Sequence, residues 1–155
     1  MLHKFSDHEV SPETEILILG TFHPELKRDG DFFYSQTGNF LWKILPACFD
    51  EDDICKRPHS TKKGFMTRHR IDFADIIASL KPGNESSFRD ELIDGFVNDW
   101  NKTEELIDSL KMLQAVYFTR KTFSCIPFIR RSVKPIHRFG GLDASDSSYP
   151  SFINN

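Results

Sequence analysis

The pattern of apolar and polar positions along this chain predicts strands that alternate with helices. Residues 16–19 form a short apolar run typical of a strand buried on both faces of a parallel sheet, and Gly20 and Pro24 end it. A second strand is predicted at 115–119. Apolar residues recur at helical spacing in three segments, 40–48, 90–100 and 101–113. This alternation predicts an α/β fold, a three-layer α/β/α sandwich with a four-stranded, mostly parallel central sheet.

Other segments have less regular patterns. Residues 71–80 fit a strand or a short helix, and the pattern leaves both open. Residues 50–69 are charged, contain proline and lack a period, which predicts an exposed loop. A helix is predicted at 121–133, interrupted or begun again at Pro127. The helix that opens near residue 40 has its apolar stripe at Leu41, Ile44, Leu45 and Cys48.

Residues 15–45 combine the first strand with a Gly-Thr-Phe-His-Pro turn and an aromatic loop. Aligned backwards from the tryptophan, residues 39–42 read N-F-L-W, Tyr34 falls on an aromatic position, and Gly20 and Pro24 bracket the turn. This order resembles the first motif of the uracil-DNA glycosylase superfamily, nearest to its mismatch-specific and hypoxanthine-DNA glycosylase branches. That motif reads roughly G-x-x-P-G, an aromatic, then N-x-F-W.

Three further segments extend the resemblance over most of the chain. Residues 75–77 resemble the second conserved block of the superfamily, and residues 115–119 resemble its third core strand. The end of the chain, residues 149–155, resembles the second motif, L-P-S-x-S-x-x-N. No helix follows this last motif, which suggests a truncated carboxyl end.

The resemblance implies an enzyme that flips a damaged base out of DNA and hydrolyses its N-glycosidic bond. His23, or Phe22 on a different gapping, stands where the family carries a water-positioning Asn or Asp, and Asn39 is a second catalytic candidate. His23 or His137 could stabilise the departing base. Tyr34 is preferred over Phe33 as the base-stacking ring. The implied substrate-binding residues are Gly20, Thr21, Phe22, Phe33, Tyr34, Ser151 and Asn154.

The distribution of charge refines this expectation. A net charge of −3 and a pI near 6.1 disfavour nonspecific coating of nucleic acid, but two stretches lack acidic residues, 54–71 and 109–142. Basic side chains in such stretches can bind DNA phosphates, and affinity should then fall as salt rises. The residues predicted to do so are Arg120, Lys121, Arg130 and Arg131.

Several classes of protein are disfavoured by what the sequence lacks. The length of 155 residues suits one domain, and no stretch approaches the roughly 18 apolar residues of a membrane span. Three cysteines without C-x-x-C spacing and the lack of a signal peptide predict a cytoplasmic protein. Histidine spacing gives no metal motif, and neither a P-loop nor a G-x-S-x-G elbow occurs. We expect a monomer that needs no metal or cofactor.

Each candidate residue also has an ordinary structural interpretation. The aromatic residues 32–34 could be core residues, Asn39 could be a helix N-cap, and His23 could be a turn residue. Two functions therefore remain. One is a DNA glycosylase acting on uracil or hypoxanthine, and the other is a catalytically degraded relative that binds nucleic acid or a nucleobase without cleavage. The His at position 23 and the apolar Phe152 and Ile153 favour the second interpretation, and Asn39 favours the first.

Overall fold

A computed structural model describes residues 1–24, 32–36, 38–82, 89–119, 126, 128 and 129. The chain divides into two compact units, one built from residues 1–25 and 72–155, the other from residues 26–71. The expectation of a single domain stays a prediction. No helix in the described ranges has the length and apolar character needed to cross a bilayer.

The first unit is built on a parallel sheet. Its strands are β1 (Ile16–Gly20), β2 (Ile71–Asp75) and β5 (Ala115–Phe118), in the order β2-β1-β5. β1 pairs in parallel with β5, with Ile16 opposite Ala115. A separate antiparallel pair is formed by β3 (Ile77–Leu80) and β4 (Val97–Trp100). The predicted mixed α/β fold with a parallel sheet is confirmed, while the described residues give that sheet three strands rather than four.

Apolar side chains of the sheet and of the helix α4 (Thr103–Ser109) form one core cluster. Leu17 and Leu19 of β1 are fully buried and pack with Ile107 and Leu110. Burying one such side chain contributes roughly 1.5–3 kcal/mol. The central position of β1 is therefore the physical reason why its sequence is continuously apolar. A second cluster contains Ile76, Ile77, Leu80, Ile93, Ile126 and Ile129.

The second unit contains the helices α1 (Leu41–Ala47) and α2 (His59–His69) and is held together by aromatic rings. Trp42 is buried, stacks on Phe32 with ring centroids 5.7 Å apart and meets Phe65 of α2 edge-on. The Trp42 indole Nε1–H donates to the Phe33 carbonyl at 2.7 Å. Because buried indoles need such an acceptor, this bond fixes the aromatic loop to α1. The alignment to N-x-F-W thus falls on a structural tryptophan.

Three predictions from the pattern are wrong, one of them only in part. Residues 59–69 form α2 instead of a loop, because Phe65 and Met66 point inward together with an unexpected lysine, Lys62. In α1 the predicted stripe is only partly right, since Leu45 is buried as predicted, but Trp42 and Pro46 are buried with it and Cys48 is exposed.

The predicted helix at 90–100 is wrong for a different reason. Only Asp90–Ile93 is helical (α3), followed by a 3-10 turn at Asp94–Phe96 and by β4. Pairing with β3 takes the last residues of this segment out of the helix, with Trp100 opposite Ile77. Residues 71–80, left open by the pattern, are two strands that meet at Ile76.

Candidate active site

His23 lies in the loop after β1, at the carboxyl end of the parallel sheet. β1 is the central strand and ends at Gly20, at the edge where parallel strands present ligand sites. The amino-terminal segment holds this loop, because the backbone N–H of Lys4 donates to the His23 carbonyl at 2.9 Å. The His23 side chain is 10% exposed, so it is nearly but not fully enclosed.

Asp75, the last residue of β2, lies beside the end of β1. The backbone N–H of the following residue, Ile76, donates to the Gly20 carbonyl at 3.1 Å. The Asp75 side chain is fully buried, and its Oδ2 accepts hydrogen bonds from two imidazoles, from His23 Nδ1 and, at 2.6 Å, from His3 Nε2. A buried carboxylate is tolerated only when it is paired and hydrogen-bonded, and the two rings supply those bonds. We call these three residues the His3–Asp75–His23 cluster.

The hydrogen bonds of the cluster fix the tautomers of both rings. His3 Nδ1 accepts the backbone N–H of Phe5 at 3.0 Å, so His3 Nε2 must carry the hydrogen that Asp75 accepts. The carboxylate likewise holds Nδ1–H of His23, and the neutral ring then has its lone pair on Nε2. Both imidazoles therefore donate to Asp75, and His23 is in addition arranged as a base through Nε2.

The carboxyl of Asp75 is poised to stay ionised. Burial raises its pKa, but the hydrogen bonds from His23 and His3 together lower it by more, so the pKa of Asp75 lies below its usual range. A carboxylate behind an imidazole stabilises the positive charge that forms when the ring takes a proton. The pair formed by His23 and Asp75 has the parts of a general base.

The same three side chains also have the composition of a metal site. Their possible ligand atoms all lie within 4.8 Å of one another, and two imidazoles with one carboxylate are a donor set that zinc accepts. The three residues are far apart in the sequence, so the spacing of histidines did not predict this group. The tautomer of His3 speaks against a metal, since its Nε2 bears a hydrogen as long as Phe5 N–H occupies Nδ1. The geometry fits a hydrogen-bonded cluster better than a metal centre.

The aromatic and amide candidates belong to the second unit. Phe33 is 2% exposed and Tyr34 is half-buried, with its hydroxyl oxygen buried. Tyr34 adopts φ of 54°, in the left-handed region that side chains rarely occupy. Asn39 Oδ1 accepts the backbone N–H of Leu41 at 2.9 Å, which is an Asx-turn bond just before α1, whose N-cap residue is Phe40.

The remaining predicted residues divide into two groups. The Gly20 and Thr21 carbonyls accept the N–H groups of Ile76 and Ile77, and Phe22 packs against the isoleucine-rich core cluster. Their described contacts are thus structural. The candidates that lie outside the described residues are Arg120, Lys121, Arg130, Arg131, His137, Ser151 and Asn154.

Sequence reasoning identified His23 but gave no role to Asp75 and none to His3. A signal for Asp75 existed, because an acid at the end of an apolar strand must be paired once it is buried. For His3 there was no such signal, since it reaches Asp75 from 72 residues away in the sequence.

The Asx-turn bond of Asn39 gives a test of its structural role. Asn39→Ala should lower the free energy of unfolding by about 1 kcal/mol, because the Leu41 N–H loses its acceptor. Asn39→Asp should restore most of this stability, since a carboxylate oxygen accepts the same bond. Urea denaturation of the three proteins measures the difference. Equal stability of Asn39→Ala and the wild type would contradict a structural role for this bond.

Comparison with known proteins adds no relative to this description. No family model, no curated protein and no solved structure matches the chain.

Proposed function

We propose that this protein is a monofunctional DNA glycosylase that hydrolyses the N-glycosidic bond of a deaminated base, uracil or hypoxanthine. The observation that carries the chemistry is the pairing of His23 with the buried Asp75 at the carboxyl ends of β1 and β2. The choice of substrate is supported by the resemblance of residues 20–42 to the first motif of the uracil-DNA glycosylase superfamily.

The proposed reaction uses His23 as the general base. Nε2 of the neutral ring takes a proton from water while the water oxygen forms a bond to C1′ of the sugar. The bond between C1′ and the base nitrogen breaks, and the base leaves with the electron pair. Asp75 keeps Nδ1–H of the ring oriented and stabilises the imidazolium that results. His3 holds the carboxylate through its second hydrogen bond.

Stacking of the base on Tyr34 is proposed from the resemblance of residues 20–42. Flipping a base out of a duplex costs a few kcal/mol, and stacking on one aromatic ring contributes roughly 1–3 kcal/mol. The hydrogen bond from Leu41 uses Oδ1 of Asn39, and the amide Nδ2 is a donor of the kind that suits a base carbonyl.

The activity is tested with labelled oligonucleotides. Each contains uracil, hypoxanthine, xanthine or thymine opposite guanine, and alkali then cleaves the chain wherever a base has been released. We expect the wild-type protein to release uracil or hypoxanthine. Absence of cleavage for all four substrates would favour the alternative, a relative that binds nucleic acid or a nucleobase without cleaving it.

A pair of variants tests the role of His23. His23→Gln should slow base release at least about 100-fold, because the amide cannot take the proton of water. His8→Gln is the matched control, since His8 donates to Asp72 at 2.8 Å and so also pairs with an acid of β2, but at the other end of that strand. Single-turnover rates of both variants and of the wild type are compared.

Two outcomes would contradict the assignment of His23. Equal rates for His23→Gln and the wild type would remove His23 as the base. Equal slowing in His23→Gln and His8→Gln, with parallel losses of thermal stability, would mean that both pairs serve only to attach the amino-terminal region to β2.

A further inference from the structure

Lys62 is a buried cation in the second unit. It lies on α2, in the stretch 54–71 that lacks acidic residues, and is 4% exposed. Its neighbour Lys63 is exposed. Lysine is rarely buried unless it is paired with an acid, because removing an ammonium group from water costs several kcal/mol. The position of Lys62 is therefore unusual for a lysine on a helix.

The partners of the Lys62 ammonium do not neutralise its charge. Nζ donates to Ser35 Oγ at 2.8 Å and lies 5.7 Å from the centre of the Trp42 ring. Among the described residues no Asp or Glu oxygen is within 4.0 Å of Nζ. A hydroxyl and a ring face stabilise a cation only in part. Ser35 accepts a hydrogen bond from one N–H of the ammonium, and the other N–H groups can donate to an anion.

The surroundings favour a negative ligand over a neutral one. Burial lowers the pKa of Lys62, and a bound anion would oppose that shift. The hydrogen bond between Lys62 and Ser35 is only partly buried, so the pair borders solvent on the serine side.

We propose that Lys62 Nζ and Ser35 Oγ form a binding site for an oxyanion of the phosphate class. The ammonium supplies charge and donors. The Ser35 hydroxyl now donates to the Phe33 carbonyl at 3.4 Å, and it supplies a further donor once it turns from that carbonyl to the anion. The anion is either a phosphodiester of nucleic acid or a small free phosphate. The site does not depend on the proposed glycosylase reaction, because binding a phosphate requires no cleavage of a base.

The experiment is a titration with inorganic phosphate at constant ionic strength, with chloride as the reference anion. Binding is followed by calorimetry and by the ¹⁵N chemical shift of the lysine Nζ atoms. We expect the Lys62 resonance to shift with phosphate and not with chloride. Lys62→Met, which keeps the length of the side chain, should weaken phosphate binding about 10- to 100-fold, the range expected when a charged hydrogen bond is lost. Lys63→Met is the matched control and should bind as the wild type does.

Three results would overturn the proposal. The first is that phosphate binds no more tightly than chloride. The second is that Lys62→Met and the wild type bind phosphate with equal affinity, and the third is that Lys62→Met and Lys63→Met weaken phosphate binding equally. The ¹⁵N titration of the wild type decides the matter even if Lys62→Met does not fold.

A second arm of the experiment identifies the source of the anion. A short oligothymidylate, which contains no deaminated base, is added to the phosphate complex. Displacement of phosphate assigns the site to the nucleic-acid backbone, and retention of phosphate assigns it to a small free anion. Because this oligonucleotide is not a substrate, a failure of the glycosylase proposal would leave the result intact.

Discussion

Asp75→Asn should slow base release by about 10⁴-fold, the size of effect seen when an aspartate behind a catalytic histidine becomes an amide. The reason lies in the charge of the side chain. His3 and His23 both donate to the same oxygen of Asp75, Oδ2, so an amide with its oxygen at that position accepts both bonds. The amide carries no negative charge, and the imidazolium that forms when His23 takes a proton loses the stabilisation that the carboxylate gives.

The measurement combines kinetics with the protonation state of the ring. Single-turnover rates give the loss of activity, and ¹⁵N spectra of labelled histidine show which nitrogen of His23 carries the hydrogen in Asp75→Asn. A rate near that of the wild type would exclude Asp75 from the reaction. A large loss of rate with an unchanged tautomer would show that Asp75 acts through charge alone.

The stability of the protein should fall in acid as Asp75 takes up a proton. The pKa of this carboxyl is lowered in the folded state, because the hydrogen bonds from His23 and His3 outweigh the effect of burial. A lowered pKa contributes stability that is fully present above the unfolded value near 3.9 and is lost as the pH falls through the folded value. His3 and His23 are the titratable groups that face Asp75 among the described residues.

Urea denaturation at a series of pH values tests this expectation. At neutral pH the wild type should be more stable than Asp75→Asn by about 3–5 kcal/mol, the usual result of breaking a buried pair. The difference should shrink as the pH falls below about 4. A difference that stays constant down to pH 2 would mean that the carboxyl is not ionised in the folded protein.

The sequence predicted the strands that appear in it as continuous runs of apolar residues. β1 reads as an apolar run because both faces of this strand are covered, and the structure confirms it. β5 is also confirmed as a strand, although its four residues are only partly buried. The helix α2 was missed because its inward positions include Lys62, which breaks the apolar period. The segment 97–100 was assigned to a helix because spacing cannot show pairing with a distant strand, and that pairing decides its conformation.

Only one residue of the candidate site, His23, was predictable, because its role follows from its position on the sheet. His23 stands just after the central strand, and a ligand site at such a place is a general property of parallel sheets. The bond from His23 to Asp75 joins residues 52 apart, and the bond from His3 joins residues 72 apart. Such contacts depend on the register of strands and leave no local pattern.

The position of the second unit in the sequence has a consequence for variation in chain length. Residues 26–71 connect β1 to β2, and the ends of this connection are held together within the first unit by the backbone bond from Ile76 to Gly20 and by the bond from His23 to Asp75. Once the ends are fixed, doubling the length of a flexible connection costs only about 0.6 kcal/mol in loop entropy. Insertions and deletions should therefore accumulate between the helices of this connection rather than within α1 or α2, whose buried rings pack together. Residues 16–24 and 72–76 should tolerate none, because a shift of one position would move the acid away from both rings.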